Sequence, residues 1–116
     1  MTFPRRGEIH LVEFDPARGH EIRKTRPAIV IQNDIGNQHS SVTIVAAITS
    51  TVSAHPVTVP IVPTKTNGLS VPSTFHLGQI RSVDRERLVK RLGVVDSTTM
   101  RKVNDALRIS IGLVEI

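Results

Sequence analysis

Five short β-rich runs, none longer than nine residues, occupy the chain up to Ile80, after which the apolar period changes. "EIHLVEF" (Glu8–Phe14) alternates, and "AIVIQ" (Ala28–Gln32) is the continuous aliphatic run of a buried strand. "SVTIVAAIT" (Ser41–Thr49) sets Val42, Ile44, Ala46 and Ile48 on one face and Thr43, Val45, Ala47 and Thr49 on the other. "VTVPIV" (Val57–Val62) is equally β-rich, but Pro60 lacks a ladder donor, which predicts an edge or a bulge. "TFHLGQI" (Thr74–Ile80) is the fifth run. Asp15-Pro16-Ala17-Arg18 before Gly19 suits a type I turn, and Asn67-Gly68 is a second turn signal. Several short strands in a small chain predict a closed barrel, because closure leaves few open edges.

Beyond Ile80 the spacing is helical. "SVDRERLVKRLG" predicts a short helix stopped at Gly93. Asp96 then caps a longer helix in which Met100, Val103, Leu107, Ile111 and Val114 recur every three or four residues. That stripe is expected to pack on the barrel or on a second subunit. The fold class expected is therefore mainly β (α+β), with one domain spanning residues 1–116.

With 39% hydrophobic and 22% charged residues the composition is that of a globular chain, not a disordered one. Fifteen Lys and Arg face ten Asp and Glu, for a net charge of +5, and arginine outnumbers lysine eleven to four. The guanidinium fork matches phosphate oxygens better than an ammonium does, so the bias leans toward a polyanion partner. Cysteine is absent, which excludes disulfide frameworks, thiolate nucleophiles and Cys-type zinc sites. The N-terminus lacks an apolar run of signal-peptide length, and "VTIVAAI" is too short to span a bilayer. A soluble, cytoplasmic protein without a membrane partner is expected.

Residues 15–25 separate the first two strands, a long connection for a hairpin, and long loops tend to carry function. Its end, "GHEIRKTRP" (Gly19–Pro27), gathers Arg23, Lys24 and Arg26 around one carboxylate, Glu21. Pro27 restricts Arg26 to extended geometry at the threshold of a buried strand. A cation held there suits stabilisation of an anion; the plain alternative is a rim salt bridge between Arg26 and Glu21 with no chemistry. Thr49 closes its strand and can offer a hydroxyl to an anionic oxygen. The five histidines (His10, His20, His39, His55 and His76) show no metal-ligand spacing, and only His20 lies in the basic loop. Most of Gln79–Arg91 reads as the solvated face of the short helix, with Arg81 ahead of it and better placed to meet a ligand. No Gly-rich phosphate loop, serine nucleophile elbow or acidic metal cluster is present, so neither metal nor cofactor is expected. With three Phe and no Tyr or Trp, any single-stranded nucleic acid would be held by phosphate charge and base-edge hydrogen bonds more than by stacking.

"RRGEIHLVEFDPARGHEIRKTRPAIVIQND", "SVTIVAAITS" and "HLGQIRSVDRERLVKRLG" resemble the MazF/PemK family of toxin–antitoxin ribonucleases, from about Arg5 to Leu113. The most specific piece is Gly19-x-Glu21 with Lys24-x-Arg26-Pro27, followed by an aliphatic strand. The resemblance implies an SH3-like barrel with a C-terminal helix, in a homodimer with RNA grooves near the subunit boundary. It implies a metal-independent endoribonuclease that cuts single-stranded RNA at a short sequence and is neutralised by a small MazE-like antitoxin. The family's essential arginine falls on Arg26 and its essential hydroxyl on Thr49; Glu21, Lys24 and Gln79 fall on its RNA-binding groove. His20 stands where members commonly carry serine, so contacts at that corner differ.

Metal-free cleavage of this kind runs by attack of the ribose 2′-oxygen on the adjacent phosphorus, leaving a 2′,3′-cyclic phosphate and a 5′-hydroxyl. Arg26 then stabilises charge on the non-bridging oxygens and Thr49 orients the phosphate. A free arginine is a poor general base at neutral pH, so the base is unassigned, with Glu21 and His20 as candidates. Two other classes stand beside this reading. A CcdB-like gyrase poison would use a C-terminal helix ending with tryptophan, where this chain ends "GLVEI" and has no Trp. A catalytically inactive RNA-binding module of the same fold is the other.

Overall fold

The computed structural model describes residues 2–14, 25–51 and 55–115. In chain order these form β1 (Glu8–Glu13), β2 (Thr25–Val30), α1 (Asp34–His39), β3 (Val42–Thr49), β4 (Thr58–Ile61), β5 (Ser73–Asp84), β6 (Leu88–Val94) and α2 (Ser97–Ser110). The strands make one antiparallel sheet in the order β4-β5-β3-β2-β1-β6. The turn expected at Asp15–Gly19 lies outside the described residues.

Alternation sends neighbouring side chains of one strand to two cores. Ile29 and Ile31 join Ile9, Ala46, Ile48, Phe75 and Leu77 in the larger cluster, which Val103 and Ala106 of α2 cover. Ala28 and Val30 join Val12, Val45 and Val83 in the smaller one. Both faces of β2 are thus buried, which is why "AIVI" is apolar without interruption. Pro60 lies on the four-residue edge strand β4 and is exposed, as its missing donor requires.

The helix expected over "SVDRERLVKRLG" does not form. β5 continues through Arg81 to Asp84, one 3-10 turn covers Arg85–Arg87, and β6 follows. Local propensity in Arg-Glu-Arg-Leu favours a helix, but pairing decides the outcome. Val83 pairs with Thr43 and is buried in the smaller cluster, and β6 pairs with β1 from Val12↔Leu88 to Glu8↔Val94. The short helix lies instead at α1, where Asn33 caps by accepting from the Gly36 N–H at 2.8 Å.

Strand pairing also leaves the expected barrel open, with β4 and β6 as its edges. The connection from β4 to β5 spans the gap. Val94 N–H on β6 donates to the Thr66 carbonyl at 2.9 Å. Five residues from Ile61 to Thr66 reach at most ~17 Å, whereas six flat strands would hold their edges ~24 Å apart. The sheet is therefore rolled, and a loop completes the closure that no strand pair makes. Contact is backbone on backbone. A Cβ on Gly93 would enter the Thr66 carbonyl oxygen and the Asn67 carbonyl group, and one on Gly68, at φ +71°, would enter the Leu92 carbonyl. Asn67, 2% exposed, ties the turn from within. Its Oδ1 accepts from Thr64 N–H and Leu69 N–H, both at 3.0 Å, and its Nδ2 donates to the Val62 carbonyl at 3.0 Å.

α2 begins as expected: the Asp96 carboxylate accepts from Thr99 N–H at 2.8 Å, which holds it below the usual carboxylate range. Its apolar stripe ends earlier. The helix stops at Ser110, and Gly112 at φ +81° closes it, with Leu113 N–H donating to the Arg108 carbonyl at 2.8 Å and Gly112 N–H to Ile109. Ile111 and Val114 therefore lie outside the buried stripe, 55% and 45% exposed.

On β1, Glu8 collects three donors. Its carboxylate accepts from Arg5 N–H at 2.9 Å and Arg91 Nε at 2.9 Å, and pairs with His10 Nε2 at 3.0 Å. Partial burial pushes its pKa up, but these hydrogen bonds outweigh it, and the net shift is below the ordinary carboxylate value. A group lowered on folding adds stability above its unfolded pKa, about 4.3, and loses it as pH falls through the folded value. The urea midpoint is expected to drop between pH 6 and pH 3, and less steeply in Glu8→Gln than in wild type. Parallel curves for the two proteins would contradict this role of Glu8.

Candidate functional site

β2 pairs with β1 from Ile9↔Ile29 down to Val12↔Arg26 and Glu13↔Thr25. Its pairing with β3 stops earlier, at Ala28↔Ala47. The residue at the break is Pro27, which has no N–H to donate. Carrying the β2–β3 register two residues further sets Arg26 across from Thr49, the last residue of β3. Proline thus does two things here. It keeps Arg26 extended, and it ends the ladder so that the two strand ends part.

A cleft of about 780 Å³ opens at that point. Arg26, Thr49, Ser50, Thr51 and Ser73 line it, over an apolar floor that includes Pro27 and Ile48, and Gly68–Val71 of the bridging connection completes its wall. Among the described residues Arg26 is the one charged group in the lining, and six hydroxyls from Ser and Thr accompany it. Its side chain is exposed and has no hydrogen bond or ion pair with any described residue. Thr49 Oγ1 makes a single long contact, 3.4 Å to the Thr51 carbonyl. Ser73 differs: its hydroxyl is committed to the Val71 carbonyl at 2.9 Å. Neither the guanidinium nor the strand-end hydroxyl is used up by the fold, so both can turn to an anionic oxygen in the cleft.

The remaining residues singled out from the sequence are dispersed. Gln79 is exposed in a bulge of β5, where Ala46 pairs with Ile80 but Ala47 with His76. Arg81 pairs with Val45, and its guanidinium lies 5.2 Å from the centre of the Phe14 ring. It borders a separate hollow of about 450 Å³ with Phe14, Asp84 and Arg87, not the Arg26 cleft. His20, Glu21 and Lys24 lie outside the described residues. The Gly68–Val71 wall falls within the loop Pro63–Ser73, which the sequence marks only as a loop able to carry base selectivity, beside the Asn67-Gly68 turn signal. Among the described residues no three His, Cys, Asp or Glu side chains converge as metal ligands. None of the helices among them is long and apolar enough to cross a membrane.

A rolled antiparallel sheet with α2 packed on it and, among the described residues, one cation among hydroxyls at its mouth defines a small mainly β protein with a polar cleft. Comparison with known proteins gives the family. Residues 5–111 match the model of the PemK-like, MazF-like toxins of type II toxin–antitoxin systems, and the chain belongs to that family. It is 37% identical over 112 residues to the endoribonuclease EndoA of Bacillus subtilis (strain 168), covering 96% of this chain and 97% of that protein. An endoribonuclease in complex with its cognate antitoxin, from a mycobacterial species, has the same fold: TM-score 0.80 at 24% identity, over 97% of this chain and 99% of that one. The MazF of Deinococcus radiodurans gives a TM-score of 0.75 at 25% identity, over 97% and 99%.

Proposed function

We propose that this chain is the toxin of a type II pair and acts as a sequence-specific endoribonuclease on single-stranded RNA, in the cytoplasm. The observation that carries this reading is the cleft itself, where Pro27 ends the β2–β3 ladder and Arg26 and Thr49 share one lining with no acidic neighbour among the described lining residues. The family relation and the endoribonuclease relative support the same reaction class.

The ribose 2′-oxygen attacks the adjacent phosphorus, and the 5′-oxygen of the next nucleotide leaves. Negative charge grows on the two non-bridging oxygens. Arg26 is the catalytic cation that takes up that charge, donating from two nitrogens of its fork. Thr49 is the catalytic hydroxyl that fixes the phosphate from the other strand end. The products are a 2′,3′-cyclic phosphate and a 5′-hydroxyl, and no metal is required by the step as written. The proton of the 2′-hydroxyl goes to a base supplied by the basic loop, with Glu21 and His20 as candidates, and the departing 5′-oxygen takes up a proton from Arg26 or from water to become the 5′-hydroxyl. Glu21, Lys24, His20, Gln79 and Arg81 serve as contacts for RNA extending beyond the cleft. The active form is a homodimer, and a small MazE-like antitoxin silences it by occupying the RNA path, as the antitoxin-bound mycobacterial and Deinococcus relatives suggest.

Thr49→Val removes the hydroxyl while keeping the strand-end shape. Cutting is expected to slow roughly ten- to hundredfold, the worth of a hydrogen bond to a charged group at ~1.5–3 kcal/mol. Thr49→Ser keeps the donor and is expected to stay much closer to wild type. Equal rates for the Val variant and wild type, measured on a defined RNA with chelator present, would remove Thr49 from the mechanism.

A further inference from the structure

The Gly68–Val71 wall has properties that the cutting step does not use. Its backbone is fixed at both ends. On one side Asn67 is buried and holds the chain through Thr64, Leu69 and Val62. On the other, the buried Ser73 hydroxyl donates to the Val71 carbonyl at 2.9 Å. Gly68 and Gly93 let this wall lie directly on the backbone of β6. Leu69 turns inward onto the larger core. Between the two anchors, Ser70 is left exposed in the cleft lining, with no hydrogen bond to any described residue. Val71 beside it is 48% exposed.

We infer that Ser70 is a specificity-determining residue: its hydroxyl, carried on a pinned backbone across from Arg26 and Thr49, reads the edge of a nucleobase next to the scissile phosphate. The inference rests on the ribonuclease reading above. A hydroxyl both donates and accepts, so it can pair with any base edge in general. What turns it into a selector is position. A donor on a moving loop follows whatever base arrives, whereas one on a fixed wall meets only the edge that presents a partner at the right place. Ser50 and Thr51 continue from Thr49 and belong with the phosphate-holding side; Ser73 is already committed. Ser70 is therefore the uncommitted hydroxyl on the pinned side of the cleft. Val71 supplies an apolar surface against which the same base can rest.

The test compares wild type, Ser70→Ala and Ser70→Thr on an RNA pool randomised around a known cut site, with chelator present, by sequencing the fragment ends. Ser70→Ala is expected to change the relative cutting of bases at one position beside the scissile bond by about tenfold, with an unchanged melting temperature. Ser70→Thr, which keeps the hydroxyl, is expected to restore the wild-type order of preference. A base profile identical in wild type and Ser70→Ala overturns the assignment alone, as does a uniform loss of cutting at every sequence. RNA left intact by wild type overturns the ribonuclease reading and this inference with it.

Discussion

Arg26→Ala is expected to cut RNA more slowly than wild type by a factor on the order of 10²–10³, the usual loss when one preorganised donor to a developing oxyanion is removed. The same change is expected to leave the unfolding midpoint where it was. Arg26 is exposed and has no hydrogen bond or ion pair with a described residue, so its loss opens no cavity and orphans no buried partner. Arg26→Lys adds a finer measure. It keeps the charge but loses the two-pronged fork, so an intermediate rate indicates that bidentate geometry matters as well as charge. Turnover at saturating RNA should fall along with the rate at low RNA, because the interaction strengthens as charge develops on the phosphate. A variant that binds weakly but turns over normally would make Arg26 a binding residue only.

The second large effect concerns stability. Gly93→Ala forces a methyl group into the Thr66 carbonyl oxygen and the Asn67 carbonyl group, and neither can move aside like a flexible side chain. The bridging connection must lift off β6, and Val94 N–H loses the Thr66 carbonyl. Overpacking of this kind costs about 1–3 kcal/mol, read as a lower urea midpoint. Because Gly68–Val71 forms part of the cleft wall, RNA cutting should fall as well, even below the temperature at which the variant unfolds. Gly68→Ala meets the Leu92 carbonyl in the same way and adds the strain of a positive φ. An alanine at position 93 with wild-type stability would mean that the connection does not hold the rolled sheet together.

How much of this was legible beforehand follows from the range of each interaction. The strands around Ile9, Ile29, Ala46, Val59 and Phe75 were readable because alternation and proline placement act within a few residues. Arg26 and Thr49 were readable as strand-end groups, one from the adjoining proline and one from the end of an alternating run. That they line one cleft depends on a β2–β3 register that neither segment encodes alone. Ser82–Gly93 was misread as helix because its residue types favour one; only the pairing of β5 with β3, and of β6 with β1 some eighty residues away in sequence, makes most of it strand. Arg81 was expected ahead of that helix, and with the helix gone it sits in a long strand beside Phe14. Gly93 was read as a helix stop, while its actual task is to let Asn67 approach. The same long-range contact hides Ser70, an ordinary serine in sequence, whose importance comes only from the wall that carries it.

The most direct measurement is end analysis of a long defined RNA incubated with the purified chain in excess chelator, with Arg26→Ala in parallel. Discrete fragments carrying 5′-hydroxyl and 2′,3′-cyclic phosphate ends, abundant with wild type and nearly absent with the variant, are the predicted result. Intact RNA with the wild-type protein, or fragments bearing 5′-phosphates, or equal cutting by both proteins, would contradict a guanidinium acting on the phosphodiester.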